Sequence, residues 1–333
     1  MPPPVRAVGY RGMARGDLGD AAGLDEMREA LELAKDAGQA HNAAVFQQNL
    51  GLEQTCFNGP RVALRTFQEG LAFAEARGLT EMALGLAVAV LESTAELGDL
   101  DRVLETAPQL ISEAEAAGNE LDLCQIRCTL VRVLVLRGEP NQVSAFLAPL
   151  ESIARENGQV ADLFVGCLAA VALARHALGE GDAAAALVQE IVSSPVTFTS
   201  VALPAYLPAI TRMALEVGRL DLAEGLLNNS VARQPYGAHS LVAARAAVAE
   251  DRGEMRAAIE GYADATERWE AFGHGVERGF ALLGHGRCLL SVGHTDESSD
   301  ALRRARQDFD RLRAQPAIRE TDSLLAQATA LSS

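Results

Sequence analysis

Glycines recur along this chain at a fixed step, and that step constrains its fold more than any other feature. Gly38, Gly78, Gly118 and Gly158 are each 40 residues apart, and each follows a run rich in Ala, Leu and Glu. A second set, Gly19, Gly59, Gly98, Gly138, Gly179, Gly218, Gly253 and Gly293, advances by 40, 39, 40, 41, 39, 35 and 40 residues. Only glycine enters the left-handed conformation that closes a helix without steric penalty. The sets interleave at roughly 20 residues, which predicts a repeating unit of helix, short turn and helix. One such hairpin cannot bury its apolar face alone, whereas stacked neighbours can. The spacing therefore predicts an all-α chain, an α-α superhelix of about eight helical hairpins. Composition agrees, since 60 of the 333 residues are Ala and 45 are Leu, the best helix formers, while aromatics are only 5%.

Residues near the turns decide which kind of array this is. A tetratricopeptide hairpin needs small residues where its two helices approach and a bulky one to fill the space between them. The segment NLGLEQTCFNGPRVALRTFQEG supplies Leu50 and Gly51, then Ala63, Phe67 and Gly70. The seventh hairpin supplies Gly253, Ala258, Tyr262 and Ala265, and the eighth Gly286, Leu289, Gly293, Ser298, Leu302 and Ala305. The sixth keeps Gly218, Ala223 and Leu227, and the third and fourth are degenerate. HEAT-like packing is the alternative, because the period exceeds the usual tetratricopeptide length of about 34 residues. The expected organisation is one array over residues 1–333: five hairpins in 1–192, an irregular connection in 193–208, three hairpins in 209–314 and a capping helix in 315–333. The connection is expected because SSPVTFTSVALPAYLP carries Pro195, Pro204 and Pro208, which remove donors and clash inside helices. The first helix looks short, and no polar capping helix precedes it, so self-association through that uncapped N-terminal edge is expected.

The phrases RGMARGDLGDAAGLDEMREALELAKDAG, NGPRVALRTFQEGLAFAEARGL and ALLGHGRCLLSVG resemble the C-terminal tetratricopeptide regions of actinobacterial class III adenylate/guanylate cyclase–ATPase proteins. They are also similar to arrays in large ATP-binding LuxR-type regulators. The resemblance covers essentially the whole chain and implies a sensor or interaction region in signalling, not chemistry. A cyclase needs metal-binding aspartates on a strand-rich domain, and no strand-rich segment is expected here. A phosphate-binding G-x-x-x-x-G-K-[ST] loop is impossible, because the one lysine, Lys35, lies in ELAKDAG.

Charge and cysteine content narrow the function further. The net charge of −16 opposes a surface that tracks phosphates, so no direct nucleic-acid partner is expected. Five scattered cysteines, Cys56, Cys124, Cys128, Cys167 and Cys288, form no disulfide framework and fit a reducing, cytoplasmic setting. The longest apolar run, Cys167 to Ala174, is far short of a membrane span. Cys124 and Cys128 share a helix face, and His285 and Cys288 share another, with His294 following and His274 more than two turns away, but neither set has the paired ligand clusters of a zinc site. No metal, cofactor or catalytic residue is expected, and the chain is read as a non-enzyme.

The inner face of the array is more informative. The position six residues before each turn glycine reads Glu53, Glu92, Arg132, Leu173, Arg212, Ala247 and Arg287. Three arginines at one structural position suggest a positive stripe, and a planar guanidinium suits bidentate capture of carboxylate. The expected binding set is Gln48, Glu92, Gln125, Arg132, His176, Arg212, His239 and Arg287, with a protein or acidic peptide as partner. The competing expectation is that these arginines pair with Glu92, Glu96, Glu216 and Glu250 of adjacent hairpins and only solubilise the surface.

Overall fold

The protein is described from a computed structural model over residues 4–331. Its first four hairpins are α1 (Val5–Asp17) with α2 (Gly23–Asp36), α3 (Ala40–Asn58) with α4 (Pro60–Glu75), α5 (Thr80–Leu97) with α6 (Leu100–Ala117), and α7 (Glu120–Arg137) with α8 (Ser144–Glu156). The next four are α9 (Ala161–Ala177) with α10 (Gly181–Ser193), α11 (Leu203–Glu216) with α12 (Leu220–Asn229), α13 (Pro235–Asp251) with α14 (Met255–Phe272), and α15 (Gly275–Ser291) with α16 (Thr295–Leu312). A final helix, α17 (Gln315–Leu331), follows, and the described residues contain no strand. The fold is the expected tetratricopeptide-like helical repeat.

The glycine rhythm works through helix termination. Gly118 has φ +64°, and this left-handed residue lets the Asn119 N–H reach back to the Ala114 carbonyl at 3.0 Å, closing α6. All the spaced glycines share a positive φ except Gly158, and Gly273 joins them. Near Gly158 the chain ends α8 differently, with Asn157 at φ −108° and its carbonyl accepting from the Val160 N–H. After α16 the left-handed residue is Arg313, φ +51°, which a count of glycines passes over.

Close packing explains the small residues. A Cβ on Gly51 would overlap the Phe67 ring, so only glycine lets α3 lie against α4 at this separation. Phe67 is then fully enclosed, a burial contributing about 1.5–3 kcal/mol. In α2 the apolar residues Leu24, Met27, Leu31 and Ala34 line one face and pack with Val8, Ala43, Phe46 and Leu50.

The proline-rich connection is ordered by side chains. Pro195 to Thr199 forms one short 3-10 turn, and the Thr197 hydroxyl donates to the Ile191 carbonyl at 2.6 Å, capping α10. Asp162 accepts from the Ser200 hydroxyl at 2.7 Å and from the Val201 N–H at 2.8 Å. Helix α11 then begins at Leu203, earlier than three prolines suggest. Pro204 sits in its first turn, where its missing N–H costs little. Pro208 leaves the Pro204 carbonyl without a helical donor, and the Ser240 hydroxyl supplies one at 2.8 Å.

The chain divides into two compact units. The first comprises residues 4–126 with the segment Ala232–Ala238, and the second Arg127–Val231 with residues 239–331. No described helix is long and apolar enough to cross a membrane.

Candidate functional site

The first helices of the hairpins in the second unit carry a network of charges along one face. Arg212 of α11 makes a two-pronged pair with Glu277 of α15, at 2.8 and 3.0 Å, and its guanidinium lies 4.2 Å over the Phe280 ring. Burial alone would raise the Glu277 carboxyl, but the Arg212 charge and hydrogen bonds, with lesser help from His274 and Arg132, hold it below its ordinary value. Arg132 of α7 lies 4.8 Å over the Tyr206 ring and reaches the Ala205 carbonyl at 3.4 Å. One helical turn after Arg212, Glu216 accepts from His176 of α9 at 2.7 Å. That bond raises the imidazole; burial alone would raise Glu216, but His176 together with the charges of Arg212 and Arg287 holds it below its ordinary value.

Arg287 of α15 is the hub of the far end. It donates to both Glu250 oxygens of α13, at 2.5 and 2.8 Å, and to Glu320 of α17 at 2.6 Å. The Tyr262 hydroxyl also donates to Glu250, at 2.7 Å. Burial, with Glu250 beside it, pushes Tyr262 well above its ordinary value and the Cys288 thiol up to about 12. Neither group is a nucleophile at neutral pH.

Arg212, Glu216, Glu250, Tyr262, Phe280, Arg287 and Glu320 help to line a partly open cavity of about 440 Å³. Its apolar floor is Leu215, Ala247, Phe280 and Leu283, and its walls carry Arg212, Arg287, Glu216, Glu250, Asp251, Glu320 and Tyr262. Four carboxylates thus face two guanidiniums, and both guanidiniums are already bonded to carboxylates. Chemically, the space suits a side chain with an apolar stem and a positive end, since buried charge needs an opposite partner. A larger hollow of about 630 Å³ lies among α12, α13 and α14, lined by Glu224, Arg245 and Arg252 among others. It holds none of the sequence-predicted residues, and Arg252 is paired to Glu224 there.

The sequence-predicted set is dispersed. Arg212 and Arg287 line the cavity, His176 meets it through Glu216, and Arg132 stands beside Glu277. Gln48, Glu92 and Gln125 lie in the first unit, on α3, α5 and α7, with Gln48 beside Gly85 and Gln125 exposed. His239, expected on the inner face, packs edge-on against Trp269 and Phe272 at ring distances of 5.5 and 5.0 Å, and burial lowers it to about 4. Of the acids expected to neutralise the arginines, Glu250 pairs with Arg287 and Glu216 with His176, whereas Glu96 accepts from Tyr236. Sequence reasoning missed Glu277 and Phe280. They lie ten and seven residues before Arg287 on the same helix, so following that helix back two to three turns would have found them.

The described residues hold no group of three His, Cys, Asp or Glu arranged for a metal ion. His274 caps α15, its Nδ1 accepting from the Glu277 N–H at 3.4 Å, and Cys128 lies 3.8 Å from Cys167 without a disulfide between them.

No protein-family model matches the chain, and no curated protein matches it in sequence. In structure it is similar to a chain of the APC/C hetero-tetramer Cut9–Hcn1, with 12% identity, a TM-score of 0.50 and coverage of 92% of this chain. The match covers 57% of that solved chain. A circular tandem repeat protein with novel repeat topology aligns over 98% of this chain and 96% of its own, at 12% identity and a TM-score of 0.22. At such identity the first likeness shows the fold alone.

Proposed function

We propose that this chain is a non-catalytic interaction scaffold that holds a segment of a partner protein in the cavity of its second unit, and that this segment carries a positive charge. The observation behind the reading is the cavity wall, where Glu216, Glu250, Asp251 and Glu320 outnumber Arg212 and Arg287. An acidic peptide, the expectation from the arginine stripe alone, reaches those guanidiniums only by displacing Glu277, Glu250 or Glu320. A basic side chain meets Asp251 and Glu216 directly. Arg132, His176, Arg212 and Arg287 then act as the rigid frame that fixes the acids, a role in which charge complementarity sets specificity. The charge of −16 adds long-range attraction for a basic partner and none for nucleic acid. Five cysteines without a disulfide fit a reducing, cytoplasmic setting.

The test is calorimetric binding of two synthetic peptides of equal length, one rich in arginine and one in aspartate, to the full chain at low and high salt. The basic peptide is expected to bind, to weaken as salt screens the cavity, and to lose about tenfold in affinity in Glu216→Gln/Asp251→Asn. Binding of the acidic peptide alone would overturn the reading.

The sequence resemblance favours a second reading, in which the array is the sensor region of a nucleotide cyclase or a LuxR-type regulator. In-frame cyclase or ATPase motifs in the flanking coding sequence would support it. Self-association through α1 is checked by sedimentation of the full chain, where a concentration-independent monomer mass rejects it.

A further inference from the structure

The first unit contains a bound segment of its own chain. Residues 231–234 are non-helical, and Pro235 opens α13. Proline disfavours helical geometry at the residue before it, and Gln234 forms the bend from which α13 starts. Its side-chain amide donates to the Gly16 carbonyl at 3.0 Å and to the Glu53 carboxyl at 3.1 Å, contacts that span 218 and 181 residues of sequence. Two residues on, the Tyr236 hydroxyl donates to Glu96 at 2.9 Å, and both side chains are buried. Backbone fits backbone as well: Gly19 has φ +91°, and a Cβ there would overlap the Arg233 carbonyl.

The receiving residues resemble a ligand site more than a structural core. Glu53 of α3 and Glu96 of α5 are 5% and 7% exposed, yet neither has a cationic partner among the described residues. Buried carboxyls without a cation are costly unless donors satisfy them. Glu96 keeps one carboxyl oxygen buried and without a hydrogen bond. That acceptor remains open to a donor the internal segment does not bring. Burial, with Asp17 beside it, raises Glu53 to about 8, so at neutral pH it accepts the Gln234 amide as a neutral carboxyl.

We propose that residues 233–236, Arg-Gln-Pro-Tyr, are an internal ligand of a peptide site built by α1, α3 and α5, and that an extended segment of another protein bearing the same Gln-Pro-Tyr donors competes for it. The site recognises an amide and a phenol held two residues apart by proline, a neutral chemistry distinct from the basic one read for the second unit. The inference does not rest on that reading. While the internal segment is seated, the apparent affinity for an outside peptide is reduced by the small fraction of time the site is empty.

The test uses the full chain and a fluorescent peptide of the protein's own sequence, VARQPYGA, read by anisotropy. Gln234→Ala/Tyr236→Ala weakens the internal ligand without touching the site, and is expected to bind the peptide at least about tenfold more tightly than wild type. A peptide with both donors changed to Ala is expected to bind neither protein. Equal binding of VARQPYGA by variant and wild type, with cooperative thermal melting of both, overturns the proposal. Where the double variant does not melt cooperatively, Tyr236→Phe, which removes one hydroxyl, is read the same way: about threefold tighter binding supports the proposal and no change overturns it.

Discussion

One structural position, six residues before the turn that follows the first helix of a hairpin, is occupied by opposite charges in the two units, and burial treats them differently. In the first unit it is Glu53, enclosed with Asp17 and Gln234 and no cation, so its carboxyl is pushed to about 8 and is neutral at pH 7. In the second unit, where it also reads Arg132, Leu173 and Ala247, it supplies Arg212 and Arg287, whose guanidiniums keep their charge because Glu277, Glu250 and Glu320 are set against them. The two outcomes are the two ways a protein can bury an ionisable group: take the charge away or pair it. The first makes a site for neutral donors and the second a rigid charged frame around an open cavity. A repeat fold thus supplies positions, and the neighbours of each position determine its chemistry.

The sharpest way to break this contrast is Arg212→Ala. It leaves Glu277 buried without its cation, and chemical denaturation should report a loss of about 3–5 kcal/mol. Arg212→Lys, which keeps the charge but not the fork, should lose less; equal losses would mean that geometry, not charge, is what Glu277 requires.

The next effect is on pH dependence. Unfolded, Glu53 ionises near its ordinary 4.5, and folded near 8. Between those values the folded state holds a proton that the unfolded state has released, so the stability tied to Glu53 is complete below about 4.5, falls as pH rises, and levels off above about 8. The steepest slope is about 1.4 kcal/mol per pH unit. In Glu53→Gln that slope should vanish, so the variant gains on wild type as pH rises from 5 to 9 in parallel urea titrations. A constant difference over that range would show that Glu53 titrates normally.

Tyr236→Phe should cost about 1–3 kcal/mol, because the facing Glu96 oxygen stays buried after losing its donor. The smallest effect belongs to a pair outside both sites. Arg303 and Asp300 of α16 are bonded at 2.8 Å but exposed, and Arg303→Ala should change stability by less than about 0.5 kcal/mol. A larger loss would weaken the argument that burial, not the presence of a pair, separates the sites from the surface.

Much of the fold was legible because turn glycines report a local backbone requirement. Gly51 against Phe67 and Gly118 at the end of α6 follow from neighbours in sequence. Arg313 was invisible to a search for glycine although its backbone does the same work. The prolines set the expected irregular connection as far as 208, whereas α11 starts at Leu203, with a hydroxyl from Ser240 bonding the carbonyl whose helical donor Pro208 removes. The sites were less legible for a reason of distance. Arg212 and Glu277 are 65 residues apart, and Gln234 is 218 from Gly16, so periodicity places each residue on a face without revealing what meets it. His239 marks the limit of that method: its period nominates it for the inner face without revealing that Trp269 and Phe272 of α14 pack against its ring.

The central claim, that the second unit offers the open site while the first holds its own ligand, is tested most directly by hydrogen–deuterium exchange of the full chain with and without the arginine-rich peptide. The account predicts slowed exchange in α11, α13 and α15 and none in α3 or α5. Protection confined to α3 and α5, or binding without protection of α11, α13 and α15, would contradict it.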